Sequence, residues 1–169
     1  VAFVVFVRLV LTVHPTDCTV RDSFAARLLS SANGVTHATI QRMPVSPPDL
    51  MLRVISQMVD GYLNLRRELT RQLDHWQTEL INPNARFKNW SALLDARLSL
   101  HHLDEICEDQ RAAIQDWIDA LDTVTPPHHA PPRAFELLKV RSRDVLEHIE
   151  RVVHHVRRLE QSAETAVQM

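Results

Sequence analysis

The chain has 169 residues and a mass of 19.4 kDa, the size of one ordinary domain or one domain plus an appendage. Apolar residues make up 45%, but Gly34 and Gly61 are its only glycines, too few for a Walker loop or a dinucleotide fingerprint. Nineteen Lys and Arg against 21 Asp and Glu give a net charge of −2, so no overall basic field argues for nucleic acid.

Residues 1–13, VAFVVFVRLVLTV, form the most apolar stretch. It is interrupted by Arg8 and is shorter than the roughly 20 residues a spanning helix needs. No basic region precedes it and no small-residue cleavage site follows, so it is not read as a signal peptide. Its β-branched and aromatic content predicts two short buried strands with a reversal near Val7-Arg8. Residues 14–17 read as a turn, and 21–32 as a short helix with Phe24, Ala25, Leu28 and Leu29 on one face. Residues 33–48, with Gly34, Pro44, Pro47 and Pro48, form a connector without a period. Two strands and one helix leave a sheet edge and a face open, so further strands are expected before Val1. The chain lacks an initiator Met and stops at Met169 inside a helical pattern, which predicts an excised piece of a longer protein.

Long helices follow. Ser46 before Pro47-Pro48 predicts an N-cap, with proline tolerated in the first turn. From there to about Asn82, apolar residues recur every three or four positions: Met51, Ile55, Met58, Tyr62, Leu65, Leu69, Leu73, Trp76 and Leu80. Asn82-Pro83-Asn84 breaks the pattern. A second helix is predicted over residues 85–122, anchored by Leu94, Leu98, Leu103, Ile106, Ile114, Trp117 and Leu121. It is acidic, since residues 84–123 hold eight carboxylates against four basic residues. Residues 125–132, TPPHHAPP, end it. A third helix is predicted from Arg133 to the end, with Leu138 and then a heptad seam of Val145, Ile149, Val152, Val156, Leu159, Ala163 and Ala166. Helices this long exceed the usual globular range and predict helix-on-helix packing.

Catalytic chemistry finds little footing. Neither Ser23 nor Ser46 stands in a glycine-flanked nucleophile turn, and Cys107 lies among carboxylates that raise a thiol pKa. Cys18 and Cys107 are expected as free thiols in a reducing compartment. Asp144 and His148, four apart in Arg143-Asp144-Val145-Leu146-Glu147-His148, lie on one helix face and can share a divalent cation. Glu147 and Arg151 have the spacing of an ion pair. His101, Glu105 and Asp109 line one face of the acidic helix, and Asp104 and Glu108 another. A solvated acidic face is the simpler reading of that run. The pairs His128-His129 and His154-His155 have no identifiable third ligand.

In order, these features resemble the CorA family of divalent-cation transporters. The resemblance rests on Leu9-Val10-Leu11-Thr12-Val13-His14, close to the family's "LVTVH" strand. It rests also on Met58-Val59-Asp60-Gly61-Tyr62 within a long helix, and on Arg143-Asp144-Val145-Leu146-Glu147-His148-Ile149 at the start of the stalk helix. It implies an α+β, predominantly α fold: a remnant of an αβα cytoplasmic domain, two strands and a short helix, followed by three long helices including a stalk. It places the truncated αβα portion at residues 1–45, an antiparallel helical hairpin at 46–132 and the stalk at 133–169. The stalk would lead to membrane helices and a "GMN" signature beyond this sequence.

The resemblance further implies the cytoplasmic regulatory portion of a Mg²⁺ transporter or channel of the inner membrane, with Co²⁺ or Ni²⁺ also carried. The partners are its own copies in a homopentamer, divalent cations and the membrane, with no nucleic acid and no enzymatic activity. Asp144 is the implied ligand of a regulatory divalent cation between subunits, with His148 beside it; Ser56 stands where relatives can carry an acid. Ten histidines leave a zinc-transporting branch as the alternative, since imidazole suits Zn²⁺ better than Mg²⁺. A soluble coiled-coil interaction protein docking through its acidic helix is the alternative from another class.

Overall fold

A computed structural model describes residues 1–33, 43–82, 87–124 and 132–168. Two strands, β1 (Ala2–Val5) and β2 (Val10–Val13), pair antiparallel with Phe3 opposite Thr12 and Val5 opposite Val10. Phe6 N–H donates to the Leu9 carbonyl at 2.8 Å and closes the reversal, which contains Val7-Arg8 as the sequence predicts. Four helices follow among the described residues: α1 (Thr19–Asn33), α2 (Pro47–Ile81), α3 (Trp90–Thr123) and α4 (Pro132–Gln168). The fold is predominantly α with a small β portion, as expected. The histidine pair His128-His129 and most of the predicted 33–48 connector lie outside the described residues.

The helices divide between two compact units, residues 1–58 with 126–142 and residues 59–125 with 143–169. In the first, strand alternation turns Phe3 and Val10 toward α1 and the start of α2, where they line a cavity of about 170 Å³ with Phe24, Leu28, Met51 and Val54. The expectation of buried strands is corrected here. Val4 and Leu11 are about half exposed and Val13 more so, because a two-stranded hairpin offers two faces and only one has a partner. Leu29, expected on the packed face of α1, is also exposed. Gln57 Nε2 donates to Ser23 Oγ at 2.9 Å, and Arg27 donates to Gln57 Oε1, tying α1 to α2.

The start of α2 follows the predicted cap. Asp49 N–H donates to Ser46 Oγ at 3.3 Å, and Pro47 takes the first helical position, where no N–H is needed. The Asp49 carboxylate in turn accepts the Val45 N–H at 3.0 Å and Arg53 Nε at 3.1 Å, and it also holds the Arg141 guanidinium of α4. Asp49 is one of the buried polar residues.

In the second unit α3 runs antiparallel to α2 and α4. Gln110 meets Tyr62 at 2.8 Å, while Arg157 reaches Asp104 and Arg97 reaches Glu164. The α4 seam forms as predicted, with Val145, Ile149, Val152, Val156, Ala163 and Ala166 all buried and Val153 joining them. On α2, Leu69, Leu73 and Trp76 are buried as expected, but Leu65 is exposed; Val59 here and Leu52 in the first unit are buried instead. α3 departs further from expectation. Leu103, Ile114 and Leu121 are buried as expected, but Leu94, Leu98 and Ile106 are exposed, and Leu93, Ala96, Leu100, Cys107 and Ile118 complete the seam. Large residues stand on both neighbouring stripes in the first half of α3, Leu93 and Leu100 on the buried one and Leu94 and Leu98 on the exposed one, so size alone does not choose between them.

Candidate functional site

Asp144 and His148 both lie on α4, each one residue before a buried seam residue, Val145 and Ile149. Burial of that seam fixes the rotation of the helix, and the spacing of four then puts both side chains on its flank one turn apart. Asp144 is exposed and His148 half-buried. The structure thus keeps the pair on one face. Among the described residues, no three His, Cys, Asp or Glu side chains converge to hold a metal ion. Ser56 lies half-buried on α2.

The acidic run of α3 is engaged by basic groups. Arg157 of α4 bridges two of its carboxylates, with Nε donating to Asp104 at 3.2 Å and Nη2 to Glu108 at 2.5 Å. Glu108 also accepts Arg111 Nε at 2.8 Å. The Arg111 hydrogen bond, aided by the charges of Arg111 and Arg157, holds the Glu108 carboxyl below its ordinary range. Glu105 faces His101 at 3.5 Å and His102 at 3.3 Å, and His101 also faces Glu160 across the helix pair at 3.5 Å. Exposed pairs of this kind contribute little, and the register of α3 against α4 rests on the buried seams beside them. A surface carboxylate pair that could attract a hydrated cation is here a seat for a guanidinium.

Cys107 lies inside the α3 seam. Burial first, and then the charges of Asp104 and Glu108, push its thiol up to about 11, so the thiolate needed for nucleophilic chemistry does not form near neutrality.

Sequence reasoning missed a different constellation. His155 lines a groove between α2 and α4 together with Arg66, Arg67, Arg71 and Arg158. Burial, and then the nearby charges of Arg66, His154 and Arg158, push the His155 pKa below its ordinary value. The sequence did hold a signal: Arg67 and Arg71 are four apart on α2, a spacing that puts both on one helical face.

No described helix is both long and apolar enough to cross a membrane. No curated protein and no solved structure matches the chain. Residues 1–168 match the family described as CorA-like Mg²⁺ transporter protein, a match that takes in the hairpin and every helix described above. The chain therefore belongs to the CorA family of divalent-cation transporters.

Proposed function

We propose that these residues are the cytoplasmic regulatory portion of a CorA-like Mg²⁺ transporter, and that a divalent cation bound at Asp144 holds its pore closed. The observation that carries this reading is the family match across residues 1–168, together with an exposed Asp144 on a long helix whose rotation is fixed by a buried seam. In the proposed assembly, a homopentamer in the inner membrane, α4 is the stalk that continues toward the membrane helices. The portion before α2 belongs to the αβα domain, and residues 46–132 act as its hairpin.

Mg²⁺ is a hard cation that takes oxygen ligands and keeps several of its waters. One exposed carboxylate per subunit suits it when a neighbouring copy supplies the others. Loss of the ion then leaves like charges facing each other and loosens the ring. His148, one turn from Asp144, is the feature that favours the zinc-transporting branch as a second reading, because imidazole is a good Zn²⁺ ligand.

The test is ion flux through the full-length protein in a bilayer. Asp144→Ala should weaken inhibition by Mg²⁺ on the cytoplasmic side, and unchanged inhibition overturns the assignment of Asp144. Zn²⁺ flux in the absence of Mg²⁺ flux would select the zinc-transporting reading.

A further inference from the structure

The groove between α2 and α4 in the second unit encloses about 370 Å³, within the range of small-ligand clefts. Arg66, Arg67 and Arg71 line it from α2, and His155 and Arg158 from α4; its remaining lining includes Thr70, and no carboxylate contributes. Two of the four guanidiniums have local partners. Arg71 pairs with Glu68 at 3.3 Å, and Arg67 donates to Asn64 Oδ1 at 3.1 Å. Arg66 and Arg158 make no ion pair among the described residues, and Arg66 Nε is buried without a hydrogen-bond partner.

A buried donor left unsatisfied costs on the order of 1–3 kcal/mol, and like charges gathered in one groove add repulsion. The same unit meets the opposite need on α3, where Arg157 sits between two carboxylates. Among the described residues no carboxylate lines the α2–α4 groove, and Glu68 pairs with Arg71 alone of its four guanidiniums. Guanidinium forks match the oxygens of a phosphate group bidentately, and several of them suit an anion with more than one negative charge. The field that draws such an anion repels Mg²⁺, so this groove is not the site of the cation.

We infer that the Arg66–Arg158 groove binds a multiply charged phosphate group, carried either by a soluble polyphosphate or by an anionic lipid headgroup. The inference stands on the groove alone and does not depend on Asp144.

The experiment is isothermal titration of the full chain with inorganic tripolyphosphate at low salt in EDTA, alongside co-sedimentation with phosphatidylcholine vesicles containing phosphatidic acid. Tripolyphosphate should bind, and the R66Q/R158Q double variant should weaken it tenfold or more. R8Q/R133Q, an equal charge change at two exposed sites outside the groove, should leave it unchanged. R66K/R158K, which keeps the charge but loses the fork, should fall between wild type and the glutamine variant. Thermal melting offers a check independent of any variant, because an anion bound only by the native state raises the wild-type midpoint as its concentration rises.

Binding to phosphatidic acid vesicles without binding to tripolyphosphate, and lost in R66Q/R158Q, identifies the lipid as the source. The inference is overturned if neither probe binds. It is equally overturned if R66Q/R158Q binds as tightly as wild type, or if R8Q/R133Q weakens binding as much as R66Q/R158Q.

Discussion

The Asp49 carboxylate at the head of α2 holds the Arg141 guanidinium of α4, across 92 positions of sequence. Burial alone would raise this carboxyl. The Val45 N–H and the Arg53 and Arg141 guanidiniums outweigh it and hold the pKa below the ordinary 3.8. A carboxyl with a depressed folded-state pKa contributes stability that is present above the unfolded value and lost as pH falls through the folded one. Thermal midpoints of the chain should therefore drop as pH falls below about 4. Asp49→Asn should cost about 2–4 kcal/mol near neutrality, as expected when one member of a buried pair is removed. It should also remove part of the acid-side slope. An Asp49→Asn chain as stable as wild type, measured by urea denaturation, would refute the clamp.

The observed register of α3 makes a paired prediction. Leu100 is fully buried and Leu98 is 58% exposed. Leu100→Ala should destabilise the chain by about 2–5 kcal/mol, and Leu98→Ala by no more than about 0.5 kcal/mol. Equal losses would restore the register predicted from the large residues alone.

Thiol chemistry separates the two cysteines. Cys107 is buried with its thiol raised to about 11, whereas Cys18 is half-buried. At pH 8 only about one Cys107 in a thousand carries the reactive thiolate even before access is considered. An aromatic disulfide reagent should label Cys18 quickly and Cys107 only after denaturation. Rapid titration of both thiols in the native chain would contradict the α3 seam.

Gly61 stands in the middle of α2 and is exposed, and a Cβ built there meets nothing within 4 Å. Glycine inside a helix pays extra backbone entropy with no compensating contact here. Gly61→Ala should stabilise the chain by about 0.4–1 kcal/mol, visible as a higher melting midpoint. A lower midpoint would mean that the position serves a close approach not made by the chain alone.

Patterns that depend on backbone period and strong local chemistry were legible. The hairpin reversal, the Ser46 cap of α2 and the α4 seam from Val145 to Ala166 all follow from such signals. What the sequence hid is which of two neighbouring stripes a helix buries. On α3 the buried stripe takes Leu93, Ala96 and Leu100 rather than Leu94 and Leu98, a choice between two leucine-bearing faces that is invisible until the partner is in place. The cationic groove was hidden for a related reason, since Arg66 and Arg158 converge only when α2 and α4 lie side by side. Asp144 and His148 were visible as a spacing, and a spacing places two groups on one flank without supplying the rest of a coordination sphere.

The knobs along α4 are graded, from Val145, Ile149, Val152 and Val156 down to Ala163 and Ala166. Sliding the helix along its axis by one heptad would bring Val156 and Leu159 into the places of Ala163 and Ala166, an overpacking that costs about 1–3 kcal/mol. Size grading therefore works as a ratchet pawl against axial travel. Moving α4 together with its packed neighbours keeps the seam meshed, whereas moving it past them does not.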